Sequence, residues 1–272
     1  MIALPLCLAL IGGGIYAAAS YLEQSQILVL ERCTAAAGDE TFNLAPDQAA
    51  NAALIAGISL QRGLPARAAS IALATAIQES KLRNLDYGDK AGPDSRGLFQ
   101  QRPSQGWGTE AEVMDPVYAA NRFFTELQKV DGYEQMSVTE AAQRVQRSAY
   151  PEAYADHEAE GKAFASALTG HSPAALTCVL KRATAAGDPA TVAAQLESSY
   201  PALETVAGDG SVAVAAAGPT GWAVAQWAVA TADELQIESV DYAGLGWTRQ
   251  DGGWQPTGRN TPNVQITLAD RP

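Results

Sequence analysis

The sequence predicts a mainly α-helical domain followed by a small α/β module, with an apolar helix in front of both. Three observations lead there. Ile2 to Leu22 carry no charge and are rich in Leu, Ile, Ala and Gly, close to the roughly 20 residues a helix needs to span a bilayer. Residues 45–180 place apolar side chains at helical spacing and show no strand-like alternation. After Arg182 the sequence becomes Ala/Gly-rich and then breaks into short alternating runs. The chain therefore divides into a signal anchor or transmembrane helix (1–23), a juxtamembrane segment (24–44), the helical domain (45–182), a linker with a possible helix (183–210) and the accessory module (211–272).

Each element has a local reason. Pro46 and Asp47 open an Ala-rich helical pattern that stops near Gly63. Leu64-Pro65 starts the next helix, with Pro in a first-turn position where its missing N–H costs little. There Ala68, Ile71, Ala72, Thr75 and Ala76 recur at helical spacing. Gly, Pro, Asp and Gln then dominate 84–108, which reads as a long loop, and a long ordered loop in a compact domain is usually functional. Helical patterning resumes over 116–130, 137–148 and 153–168. In the tail, helices are expected at 189–199 and 222–235, the latter with Trp222, Ala225, Val229 and Ala232 on one face. Short strands are expected at 211–216, 237–242, 245–248 and 264–268.

Composition narrows the function. A net charge of −12 with no basic stripe argues against nucleic acid, whose phosphates attract clustered Lys and Arg. Residues 183–272 hold 3 Lys+Arg and 10 Asp+Glu, so polyanions should not attract the tail. The apolar run implies export, with the protein a single-pass membrane protein facing outward, or secreted if the run is cleaved. Cys33 and Cys178 flank the helical domain and are expected to form a disulfide in an oxidising compartment. His157 and His171 stand apart from each other and from cysteine at ligand spacing, so no metal or other cofactor is expected. A single apolar run and two scattered histidines also leave a transporter reading without its parts.

The chemistry gathers at 70–101. Glu79 ends an apolar helix, and Gly97-Leu98-Phe99-Gln100 follows after the loop. Cleaving a glycosidic bond requires a proton on the leaving oxygen, so the donor carboxyl needs a raised pKa. Burial in an apolar helix and the negative end of the helix dipole both disfavour the carboxylate. Gly97 permits close backbone approach, Phe99 and Trp107 offer faces for sugar rings, and Gln100 and Gln101 offer uncharged amides. A neutral, amide-rich cleft around one acid suits a polysaccharide. A second carboxylate would favour hydrolysis. Asp86, Asp89 and Asp94 are the loop's candidates, although Asp is also an ordinary turn residue.

Glu79-Ser80 with Gly97-Leu98-Phe99-Gln100 resembles the lytic transglycosylase and goose-type lysozyme superfamily. The longer strings 74–84, 97–108 and 141–154 are similar to a group of exported actinobacterial proteins built on that fold. The resemblance implies a lysozyme-like helical domain over about 45–180 and peptidoglycan glycan strands as the partner. It also implies a role for Glu79: protonating the bond between MurNAc and GlcNAc, then taking a proton from the sugar's own 6-hydroxyl as that oxygen attacks. Ser80, Gly97, Leu98, Phe99, Gln100, Gln101 and Trp107 would line the subsites. Where transglycosylases carry Ala-Tyr-Asn-Ala-Gly, this chain has Ala142-Gln143-Arg144-Val145-Gln146, so Gln146 or Tyr150 is expected to take over those contacts. That departure keeps a second reading open, a wall-binding protein with the cleft but no turnover. The tail, with its Trp222, Trp227, Trp247 and Trp254, resembles a C-terminal module of cell-wall proteins related to zinc peptidases. Asn263 and Gln265 stand where such a site would need histidines, and core packing is the default for the tryptophans.

Overall fold

The computed structural model describes Gln26 and residues 29–147, 151–259 and 261–270; the apolar run at 1–23 and Tyr150 lie outside them. Among the described residues, eight α-helices and two antiparallel sheets make a mixed α/β structure.

Two long helices, α1 (Pro46–Gln61) and α2 (Ala66–Ser80), begin the helical part. Pro46 opens α1 at its first turn, and the Gln48 side chain accepts the Ala45 N–H at 2.7 Å. α2 is buried continuously from Ala68 to Ile77 rather than along one stripe, because helices cover it on several sides. These are α1, α4 (Pro116–Leu127), α5 (Val138–Gln146) and α6 (Glu158–Leu168), with the short α3 (Glu110–Val113) packed on α4. The closest crossing is with α6 and depends on small residues. A Cβ at Gly161 would stand 2.9 Å from the Ala74 nitrogen and the Ser70 carbonyl, closer than atoms pack in protein interiors. The helical pattern expected at 153–168 is split, with a 3₁₀ turn over Pro151–His157 preceding α6.

The expectation of no strands in 45–180 is corrected, and 24–44 is more than a connecting segment. β1 (Arg32–Ala37) pairs with β2 (Glu40–Leu44) across a Gly38 turn, and with β3 (Leu176–Val179) on its other side. The register sets Cys33 opposite Cys178, and the two form a disulfide. By loop-closure entropy, a loop closed across a sequence separation of 145 limits the unfolded chain enough to contribute roughly 4–5 kcal/mol.

In the tail, α7 (Pro189–Ser199) and α8 (Gly218–Ala230) accompany a six-stranded sheet. Its strands are β4 (Thr205–Ala207), β5 (Ser211–Val214), β6 (Ile237–Tyr242), β7 (Leu245–Thr248), β8 (Gln255–Pro256) and β9 (Val264–Leu268), in the order β4-β5-β9-β6-β7-β8. β4 belongs to this sheet although it falls in the stretch read as linker. α8 is not amphipathic: every residue from Gly221 to Ala230 is buried, since α1, α6 and β3 cover one side and β6 and β9 the other. One apolar core therefore runs from the helices into the tail.

Polar contacts seal that junction. The buried Gln226 accepts the Leu176 N–H at 2.7 Å and donates to the Ala167 carbonyl at 2.7 Å. Trp247 and Trp254 donate their indole N–H groups to the carbonyls of Cys178 (3.0 Å) and Leu176 (2.8 Å). Arg249, 1% exposed, binds the carbonyls of Lys181, Ala232 and Ile237 and the Asp233 carboxylate, so its buried charge is fully matched. The tail tryptophans pack and anchor, as the default reading has it.

Among the described residues, no helix is long and apolar enough to cross a membrane, and no group of three or more His, Cys, Asp or Glu could hold a metal ion.

Candidate active site

Glu79 lies in the last turn of α2, where the helix is stopped by two successive left-handed residues, Lys81 (φ 54°) and Leu82 (φ 56°). The buried Leu82 turns inward, and its N–H reaches back to the Ala76 carbonyl at 3.1 Å. The chain then leaves α2 so that the loop folds back over the helix end.

The loop's fold follows from its own residues. Arg96 and Gln101 exchange backbone hydrogen bonds at 3.0 Å in both directions, closing a tight turn over Gly97-Leu98-Phe99-Gln100. Gly97 is required there for packing rather than ligand approach: its φ is +78°, and a Cβ would meet the Val113 carbonyl at 2.2 Å. Asp94 accepts from the Ser104 N–H at 3.1 Å and from Arg102 Nε at 2.8 Å, and hydrogen bonding from Ser104 first, then Arg102, holds its carboxyl well below the usual range. Asp89 accepts the N–H groups of Ala91 and Gly92, each at 2.8 Å, an Asx-type turn.

Several expected substrate contacts prove internal. Ser80 is buried and donates to the Leu98 carbonyl at 2.7 Å, latching the turn to the helix. Leu98 and Phe99 are 0% exposed, and the Phe99 ring stacks on Phe123 at 4.7 Å between centroids, so it offers no face to a sugar. Gln101 is buried as well and donates to the Ala119 carbonyl at 3.0 Å. The apolar character that suits the Phe99 ring to a sugar face is what drives it, with Leu98, into the core.

The groove is formed by other residues. Glu79 lies partly buried in a cavity of about 420 Å³ with Gln78, Asp89, Gln100, Trp107, Gln146 and Arg147 on its walls. Gln100, Trp107 and Gln146, expected to meet substrate, thus line the cavity that Glu79 faces. Gln146 donates to the Phe99 carbonyl at 2.7 Å, tying α5 to the turn. Arg122 lies over Trp107, 5.7 Å from the ring centre. Gln105, Trp107, Gln146 and Arg147 also border a second cavity of about 700 Å³, so the two are lobes of one groove. The expectation of a neutral cleft is corrected, because Asp89, Arg102 and Arg147 all face it.

The sequence reading misses Tyr154. Its hydroxyl, 75 residues from Glu79 in sequence, donates to Glu79 Oε1 at 2.5 Å. Tyr154 is the last residue of the 141–154 string, but no spacing rule links a 3₁₀ turn to the end of α2. Beside it, His157 Nε2 lies 3.1 Å from Gln78 Oε1 and its Nδ1 3.6 Å from Glu160.

Burial pushes the Glu79 carboxyl above its ordinary value; the Tyr154 hydroxyl and the Gln146 amide pull it down, and the Asp89 charge raises it slightly. The net direction is upward, as a proton donor near neutral pH requires. Chemically, the site holds one partly desolvated acid, oriented by a tyrosine, on the wall of a two-lobed groove. No family model matches the sequence, and no curated protein matches it.

Proposed function

We propose that this protein cleaves peptidoglycan glycan strands outside the cytoplasm, acting as a lytic transglycosylase on the β-1,4 bond between MurNAc and GlcNAc. The observation that supports this most directly is Glu79: a partly buried carboxyl with a raised pKa, opening into a groove of two adjoining lobes of about 420 and 700 Å³. The resemblance of Glu79-Ser80 and Gly97-Leu98-Phe99-Gln100 to that superfamily supports the same reading, including a lysozyme-like arrangement of the helices.

In this reading Glu79 gives its proton to the leaving glycosidic oxygen as positive charge develops at the anomeric carbon. Tyr154 steadies the carboxylate so formed through Oε1. The carboxylate then accepts the proton of the 6-hydroxyl while that oxygen closes on the anomeric carbon, giving a 1,6-anhydro end. Asp94 is bound to Arg102 and Ser104, and Asp89 is oriented by its own turn. The resemblance supports intramolecular attack, while Asp89, on the same cavity wall as Glu79, is the loop carboxylate placed for the hydrolytic alternative. The disulfide supports an oxidising compartment, with residues 1–23 as the membrane tether or export signal.

The test is to incubate the purified protein with peptidoglycan and resolve the products by mass spectrometry. Anhydro-muramyl ends are expected from the natural protein and not from Glu79→Gln. Release from neither protein would refute turnover and leave the wall-binding reading.

A further inference from the structure

We propose that the second lobe of the groove is a subsite for the carboxylates of peptide stems carried on the glycan, so that the protein prefers strands whose stems are intact and anionic. The proposal rests on the glycan reading above and names the part of the substrate that the larger lobe takes.

The protein is −12 overall, yet Arg122, Lys129, Arg144 and Arg147 line this one lobe against only Glu126 and Asp131. Four cations against two anions leave a local surplus of +2 in a concave site of about 700 Å³. Concave walls focus such a field toward whatever enters.

Geometry shows which charges face the cavity without a strong internal partner. Glu126 is held between Arg122 at 2.6 Å and Lys129 at 2.9 Å, and those contacts keep its carboxyl below the usual range. One anion therefore answers two cations. Arg144 meets Glu140 at 2.9 Å, but both side chains are about half exposed, and exposed pairs of this kind are weak and easily exchanged. Arg147 is exposed at the end of α5 and has no carboxylate partner among the described residues. Complementing the α5 dipole would account for Arg144 and Arg147 alone. It does not account for Arg122 and Lys129, which come from α4 and the turn after it and face the same space.

The location decides the ligand. Gln105, Trp107, Gln146 and Arg147 belong to both lobes, so a strand lying over Glu79 continues into the cationic lobe. The sugar backbone itself needs no cations there. Its anionic groups are branches: the carboxylates along a peptide stem, or the lactyl carboxylate left when a stem is removed. Several cations spread across one wide lobe match the several carboxylates of a stem better than a single lactyl group.

The test uses the full-length protein carrying Glu79→Gln, so that the strands stay whole, in detergent with dye-labelled soluble glycan strands in three forms: intact stems, stems with amidated carboxyls, and strands freed of stems. Affinities are read by fluorescence anisotropy at low salt. Intact-stem strands are expected to bind about tenfold tighter than either other form, and about 0.2 M added salt should shrink that ratio. The double variant Lys129→Gln/Arg144→Gln, whose two sites border only the second lobe, should bring the ratio close to one. Lys129→Arg/Arg144→Lys should restore it. An unchanged ratio in the glutamine variant overturns the proposal. Equal, tight binding of stem-free and intact strands assigns the lobe to the lactyl group and overturns the stem assignment. Because the readout is binding, loss of the cleavage reading through the Glu79→Gln product assay leaves this result standing. If none of the three forms binds, the glycan reading itself falls.

Discussion

Replacing Glu79 by Gln should stabilise the protein at neutral pH while abolishing its proposed activity. The reason is the direction of the carboxyl's shift. Desolvation raises its pKa, and the opposing hydrogen bonds from Tyr154 and Gln146 do not cancel that effect. In the unfolded chain a glutamate titrates near 4.3. Between that value and the higher folded one, the native protein binds more protons than the unfolded chain, so stability falls as pH rises through this window. Above the folded pKa the penalty is complete. A Gln carries no charge to desolvate and can still present its carbonyl to the Tyr154 hydroxyl, with its amide toward the groove. The gain should be near zero at about pH 3.5, where both glutamate states are protonated, and level off above the folded pKa. Its expected size is of order 1 kcal/mol, or about 2–4 °C in melting temperature for a chain of this length. Thermal unfolding followed by circular dichroism across pH 3.5–8 measures it. A variant less stable than the natural protein at neutral pH, or a difference that does not depend on pH, would refute the reasoning.

Other substitutions separate structural from chemical roles. Ser80→Ala removes the donor to the buried Leu98 carbonyl and should lower stability by about 1–3 kcal/mol in urea unfolding; a raised KM with unchanged stability would mean that Ser80 meets substrate instead. Tyr154→Phe removes a donor that favours the ionised carboxyl, so the alkaline limb of the pH profile of kcat/KM should move to higher pH. A limb that stays in place, or moves down, would exclude Tyr154 as the positioning group. Joint Cys33→Ser and Cys178→Ser substitution should lower stability by about 2–5 kcal/mol, and a loss below about 1 kcal/mol in the urea midpoint analysis would contradict the closed-ring argument.

Much of the secondary structure was legible because its causes are local. Pro46 and Pro189 mark helix starts, and alternation at 237–242 and 264–268 marks strands. β1 was not legible, because Thr34-Ala35-Ala36-Ala37 has little strand preference of its own. It is held by β3 and the Cys178 bridge, whose residues lie far along the chain. α8 misled for the opposite reason. Its apolar residues fit a one-sided stripe, yet partners on both sides bury every face. In the candidate site, Glu79, Gln100 and Trp107 are readable from residue type and spacing, and Gln146 only through the resemblance, as an alternative to Tyr150. Phe99 is not, since an aromatic in a turn has the same letters whether it meets a sugar or Phe123. Tyr154 and the cationic lobe depend on three separate elements converging, which no local pattern encodes.

The bridge between Cys33 and Cys178 has a mechanical consequence. It closes residues 34–177 into a ring, so tension applied between the stretch before β1 and the tail passes through the sulfurs and bypasses α1 to α6. The chain between the cysteines, a sequence separation of 145 and about 500 Å when extended, stays unavailable to stretching until that bond is reduced. A pull strong enough to unravel the tail sheet would still leave that ring closed around Glu79.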